Sequence, residues 1–178
     1  MRKQTRQIGM AIALLVALGL GATAQSTPAD QSKAGHAIEG EVKKVDREAG
    51  KMVVKMADGT EETFKFTGQA VKKGSHVVVH YVGEGTEKTA VGIEHIGKAA
   101  PKVVEGTVVG AGKGARTVVV KTGAGAEETL HLTERAAVDT GEGVVKGTEY
   151  TVKEGARVTV HYTEAGGRKV VHLMKRIM

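Results

Sequence analysis

Between residues 40 and 96, apolar side chains fall five times on alternating positions of a short stretch, and the same rhythm returns between residues 104 and 177. In the first set the runs are Val42 and Val45, Met52-Val54-Met56, Phe64-Phe66, Val77-Val79-Tyr81, and Val91 with Ile93. In the second set Val118-Val120, Leu130-Leu132 and Val158-Val160-Tyr162 repeat the clearest of them. Successive side chains leave a strand on opposite faces, so this period of two predicts half-buried β-strands. Turn signals separate the runs, among them Ala57-Asp58-Gly59, Gly83-Glu84-Gly85 and Ala165-Gly166-Gly167, where glycine supplies positive φ without steric cost. Gly40 and Gly106 fall inside the first strand of each set, where a bend or bulge is expected. Five strands in about 60 residues are too few to cover two separate sheets and are most economically closed into one small barrel.

The two sets are copies. "EGEVKKVDREAGKMVVKMADGTEETFKFT", residues 39–67, lies without a gap over "EGTVVGAGKGARTVVVKTGAGAEETLHLT", residues 105–133. The register then jumps, so that "VKKGSHVVVHY", residues 71–81, lies over "VKEGARVTVHY", residues 152–162, and the second copy carries an insertion, residues 137–151. The chain therefore divides into a segment 1–24, a polar linker 25–36, a first repeat 37–97, a connector 98–102 around Pro101, and a second repeat 103–178. The fold class that follows is all-β, two tandem five-stranded barrels from an internal duplication.

The segment 1–24 changes the picture of where the barrels work. Arg2, Lys3 and Arg6 precede an apolar run from Ile8 to Leu20, and Ala22-Thr23-Ala24 follows it. This is the order of a secretory signal peptide with cleavage expected after Ala24, which predicts a periplasmic or secreted protein. The run is shorter than the roughly 20 residues of a membrane-spanning helix, so no span is expected in the mature chain. Losing three cations reduces the formal charge of +6 to +3, because no acid lies among the first 24 residues. The absence of cysteine rules out disulfides and a thiol nucleophile.

The stretches "GEVKKVD", "GKMVVKM" and "VKKGSHVVVHY", with their turn glycines and alternating valines, resemble the small OB-fold-like β-barrel domains of secreted bacterial proteins. Distantly they are similar to periplasmic copper-binding metallochaperones. That second resemblance implies a metal set of one histidine at the first strand, two nearby methionines and a tryptophan over the ion. His36, Met52 and Met56 occupy suitable places, but the chain has no tryptophan. Met52 and Met56 share the face of Val54, which predicts core packing, where a thioether fills irregular gaps.

The repeated His80 and His161 lie opposite the valine-tyrosine face of their strands, so an outward, solvated imidazole is expected at both. They are the residues of a second candidate metal set, for zinc or copper, although no H-x-H or H-E-x-x-H spacing supports it. The doubled acids Glu61-Glu62 and Glu127-Glu128 point to opposite faces and cannot converge as an acid-base pair; they are expected to keep a strand entrance soluble and guarded against edge pairing. "GAGKGA", residues 110–115, lacks the G-K-[ST] of a phosphate loop.

The reading that results is an exported, non-catalytic binding or interaction module without a cofactor, with a copper- or zinc-binding protein as the alternative. Its expected partner is a protein or envelope component. Nucleic acid is set aside for want of exposed aromatic stacking residues and strong basicity, and a monomer is expected. The insertion, alone in distinguishing the copies, is the first candidate for a contact loop.

Overall fold

The computed structural model describes residues 35–177 apart from 69 and 112–115. The expected signal peptide and its cleavage site, and most of the "GAGKGA" turn, lie outside the described residues. What is described is all-β.

The first copy folds as β1 (His36–Asp46), β2 (Lys51–Lys55), β3 (Glu61–Lys65), β4 (His76–Val82) and β5 (Thr89–Gly97), which close into a barrel in the order β1-β2-β3-β5-β4. Met52, Val54, Phe64, Val77 and Val79 fill it and are wholly buried, as the alternation predicts. Two spacings of three in the apolar pattern have a structural cause. At β1 the register against β2 slips between Val42 and Lys44, so Lys43 is a bulge residue and both Val42 and Val45 reach the core. At β5 the register against β4 slips between the partners of His80 and Tyr81, which are Gly92 and Ala90. The expected alternation of Val91 with Ile93 is corrected there: Val91 is the bulge residue, which leaves the barrel core to Ala90 and Ile93 and packs on the outside.

The second copy repeats all of this. Its strands β6 (Lys102–Ala111), β7 (Thr117–Thr122), β8 (Glu127–His131), β11 (Arg157–Ala165) and β12 (Arg168–Arg176) form the same ring, closed by β12 against β8. The slips recur between Val108 and Gly110 and at His161–Tyr162, where His172 is the extra residue. Gly40 and Gly106 are explained by a different effect from the bulge. A Cβ on Gly40 would lie 2.5 Å from the carbonyl oxygen of Lys55 and 2.7 Å from Cγ1 of Val54, and one on Gly106 would be as close to Lys121 and Val120. Glycine lets the first two strands of each barrel pass closer than any side chain permits.

The insertion is a β-hairpin, β9 (Ala137–Asp139) and β10 (Val144–Lys146), turned through Gly141 and Gly143 at positive φ. β9 lies parallel to β12 through Leu173–Lys175, extending the sheet beyond the point where β8 leaves it. All three residues of β9 are buried. The insertion, the first candidate for a contact loop, faces the other barrel. Ala137, Val144 and Leu173 of the second copy form one apolar cluster with Ala37 and Val78 of the first, and Val91 and Ile96 pack against it. The two barrels dock through this cluster.

Candidate functional site

The polar groups of the molecule gather around that apolar seam. On the first barrel, β1 and β4 present Ala37, Glu39, His76, Val78 and His80 on their outer face, because Glu39 is opposite Val78 and Ala37 opposite His80 in the ladder. Glu39 is buried at 5% exposure. Its Oε1 lies 2.9 Å from Nδ1 of His76, and its Oε2 lies 3.1 Å from Nδ1 of His161 on the second barrel. An ionised carboxylate only accepts, so both imidazoles carry their proton on Nδ1 and donate it to Glu39.

Two further contacts cross the seam. Asp139, 2% exposed on β9, accepts from the backbone N–H of Ala37 at 3.3 Å and stands 3.9 Å from Nδ1 of His36. Its other oxygen accepts from the N–H of Gly141 at 2.9 Å and so shapes the hairpin turn. Glu94 on β5 stands 4.0 Å from Nδ1 of His172, whose Nε2 meets the Thr163 hydroxyl at 2.8 Å. Each carboxylate of the seam thus faces at least one histidine. His80 faces none: at 1% exposure, neither ring nitrogen has a hydrogen-bond partner, and burial pushes its pKa down to about 4.

The five residues singled out by sequence are scattered by the fold. Met52 is fully buried in the first barrel and Met56 packs against the same core. The His36 side chain is 45% exposed at the start of β1. His80 and His161 do lie opposite the core face, as parity predicts, but the expected solvation is corrected: His80 is buried, and His161 is held to Glu39 across the seam. Among the described residues, no group of three or more His, Cys, Asp or Glu is placed to hold a metal ion.

The second acid of each Glu-Glu pair has a role the sequence reading did not find. Lys88 pairs with Glu62 at 2.6 Å and stands 5.3 Å from the Tyr81 ring centroid. Lys169 pairs with Glu128 and stands 5.5 Å from the ring of Tyr162. Both sets latch the fifth strand of a barrel to the third, and the coincidence of Glu62, Tyr81 and Lys88 with Glu128, Tyr162 and Lys169 in the self-alignment was the available signal. Burial, then the charges of Glu62 and Asp139, push the Tyr81 hydroxyl pKa up.

A second feature lies on the outer face of the second barrel. An open groove of about 350 Å³ is lined by Glu105, Thr107, Lys121, Thr122 and Arg157, with Gly106 and Gly123. The ladder places Thr107 between Lys121 of β7 and Arg157 of β11. The corresponding row of the first barrel is Lys55, Glu41 and His76, and Glu41 there is also paired with Lys43 at 2.7 Å. Replacing that central acid by Thr107 leaves two cations side by side, and neither makes an ion pair among the described residues.

No family model matches the sequence, and no curated protein matches it either. Among solved structures, the chain is similar to apo-CusF residues 6–88 from Escherichia coli at 14% identity and a TM-score of 0.32, over 47% of this chain and 96% of that one. The Ag(I) form of CusF residues 10–88 gives 14% identity and a TM-score of 0.31. A third similar structure is drosophila Unr CSD456, at 15% identity and a TM-score of 0.34, over 81% of this chain and 62% of that one. The small OB-like barrel is fixed by the strand order. The expectation that excluded nucleic acid from the partner set is withdrawn, since the similar structures include drosophila Unr CSD456.

Proposed function

We propose that this protein is an exported, non-catalytic binding module whose ligand surface is the groove of the second barrel, and that the ligand presents an anionic group there. The observation that carries the reading is the row Arg157, Thr107, Lys121. It offers two cations flanking a hydroxyl, with Glu127 opposite Lys121 at the far end of the row, where the duplicated sequence of the first barrel places a central acid. Guanidinium and ammonium groups bind phosphate or carboxylate oxygens through charge-assisted hydrogen bonds. A non-catalytic role is supported by the use of the histidines. His76 and His161 spend Nδ1 on Glu39 within the seam, and no nucleophile stands beside them. Export is supported by the order of charge, apolar run and small residues over 1–24.

The test is an NMR titration of the protein with inorganic phosphate and then with citrate. Saturable shifts at Thr107, Lys121 and Gly123, abolished in Arg157→Ser, are the expected result. Absence of a saturable shift, or one indifferent to Arg157→Ser, would overturn the groove as the ligand surface.

A further inference from the structure

The seam between the barrels holds a group that no other part of the molecule explains. His80 is the largest polar side chain in the chain's fully buried set, and both of its nitrogens lack a partner. It fits because its ladder neighbours are small, Ala37 on β1 and Gly92 on β5. Val78, two residues away on the same face, is already in the cluster that joins the barrels.

The charged and titratable groups turned toward this face come from every element around it. β1 supplies His36 and Glu39, β4 supplies His76, and β5 supplies Glu94. From the second barrel, β9 supplies Asp139, β11 His161 and β12 His172. Lys146 on β10 and Lys175 on β12 follow Val144 and Leu173 on the same sides of their strands. His36, His76, His161 and His172 each face a carboxylate. A proton on His80 has no acceptor within hydrogen-bond reach, although Glu94, two residues along β5 from its neighbour Gly92, keeps one buried oxygen unpartnered. A buried charge without a partner or a hydrogen bond is among the most costly groups a protein can hold.

We propose that the seam is an acid-operated dock, in which proton uptake by His80 releases the first barrel from the second while both barrels stay folded. Each barrel has its own filled core, so separation costs only the small shared cluster and the contacts of Glu39, Asp139 and Glu94. On opening, the imidazole regains water and its ordinary affinity for protons. The difference between a pKa of about 4 when docked and 6.5 when exposed shifts the docked-to-open ratio by on the order of a hundred-fold between neutral pH and pH 4.

The experiment uses the full chain with one spin label on each barrel, at exposed Lys51 and Arg168, read from pH 7.5 to 3.5 alongside the histidine ring signals. The expected result is a rise in inter-label distance that tracks protonation of His80, with the amide spectrum of each barrel retained. In His80→Leu and in His80→Asn the seam should stay closed through the same range. Opening of both variants at the wild-type midpoint would assign the release to the seam carboxylates and overturn the proposal. So would titration of His80 without any change in distance.

Discussion

Glu39 of the first barrel and His161 of the second are joined across 3.1 Å, and the same carboxylate holds His76 at 2.9 Å on its other oxygen. One buried side chain therefore orients two imidazoles that belong to different copies of the repeat.

Removing that acceptor leaves both Nδ1–H donors unpaired. Glu39→Ala is expected to lower stability by about 1–3 kcal/mol, the cost of burying unsatisfied donors. Glu39→Gln, which keeps one carbonyl oxygen, should lose less. Urea unfolding of the two variants checks the order. Equal loss in both would mean that the space filled by the side chain matters and its hydrogen bonds do not.

The glycines at the crossing of the first two strands give a second expectation. Gly40→Ala places a methyl group 2.5 Å from a carbonyl oxygen of the backbone, which cannot swing away as a side chain would. A loss of roughly 3 kcal/mol or more is expected, at the upper end of the range for overpacking. Gly59, at φ 87° with nothing within 4 Å of an added Cβ, should cost only about 1 kcal/mol on the same change, from backbone strain alone. Comparing the two denaturation midpoints decides whether close approach or conformation governs Gly40.

The unpartnered His80 also makes total stability depend on pH. Its pKa is depressed from 6.5 to about 4 on burial, so the unfolded chain binds more protons than the folded one between those values. Stability is then full above pH 6.5 and falls as the pH drops toward 4. The loss amounts to about 3 kcal/mol. Thermal unfolding at pH 7, 5.5 and 4 should show this decline, and His80→Leu should flatten the part that remains after the carboxylates are accounted for by the variant's own curve.

The barrel was legible because its cause is local. Alternating valines announced each strand, and duplication of "VHY" announced that both copies have the same faces. The bulges were written in the chain as spacings of three, Val42 to Val45 and Ala90 to Ile93, but a spacing of three on a strand is interpretable only once the partner strand is known. Residues 137–151 held apolar Ala137-Val138 and Val144-Val145 around Gly141-Glu142-Gly143, a hairpin signal, yet nothing in that segment names the surface it covers. The same limit applies to His80, whose orientation followed from parity while its burial did not.

The hairpin β9–β10 also makes the two copies unlike. It is the receiving half of the seam, and the first copy has no counterpart to it. The giving half is the outer face with Ala37, His76 and Val78, which the second copy replaces with Val103, Arg157 and Thr159. Tandem repeats lengthen into solenoids when each unit offers both halves to its neighbours. Here each copy has kept one, so the duplication has become a pairing of unlike partners.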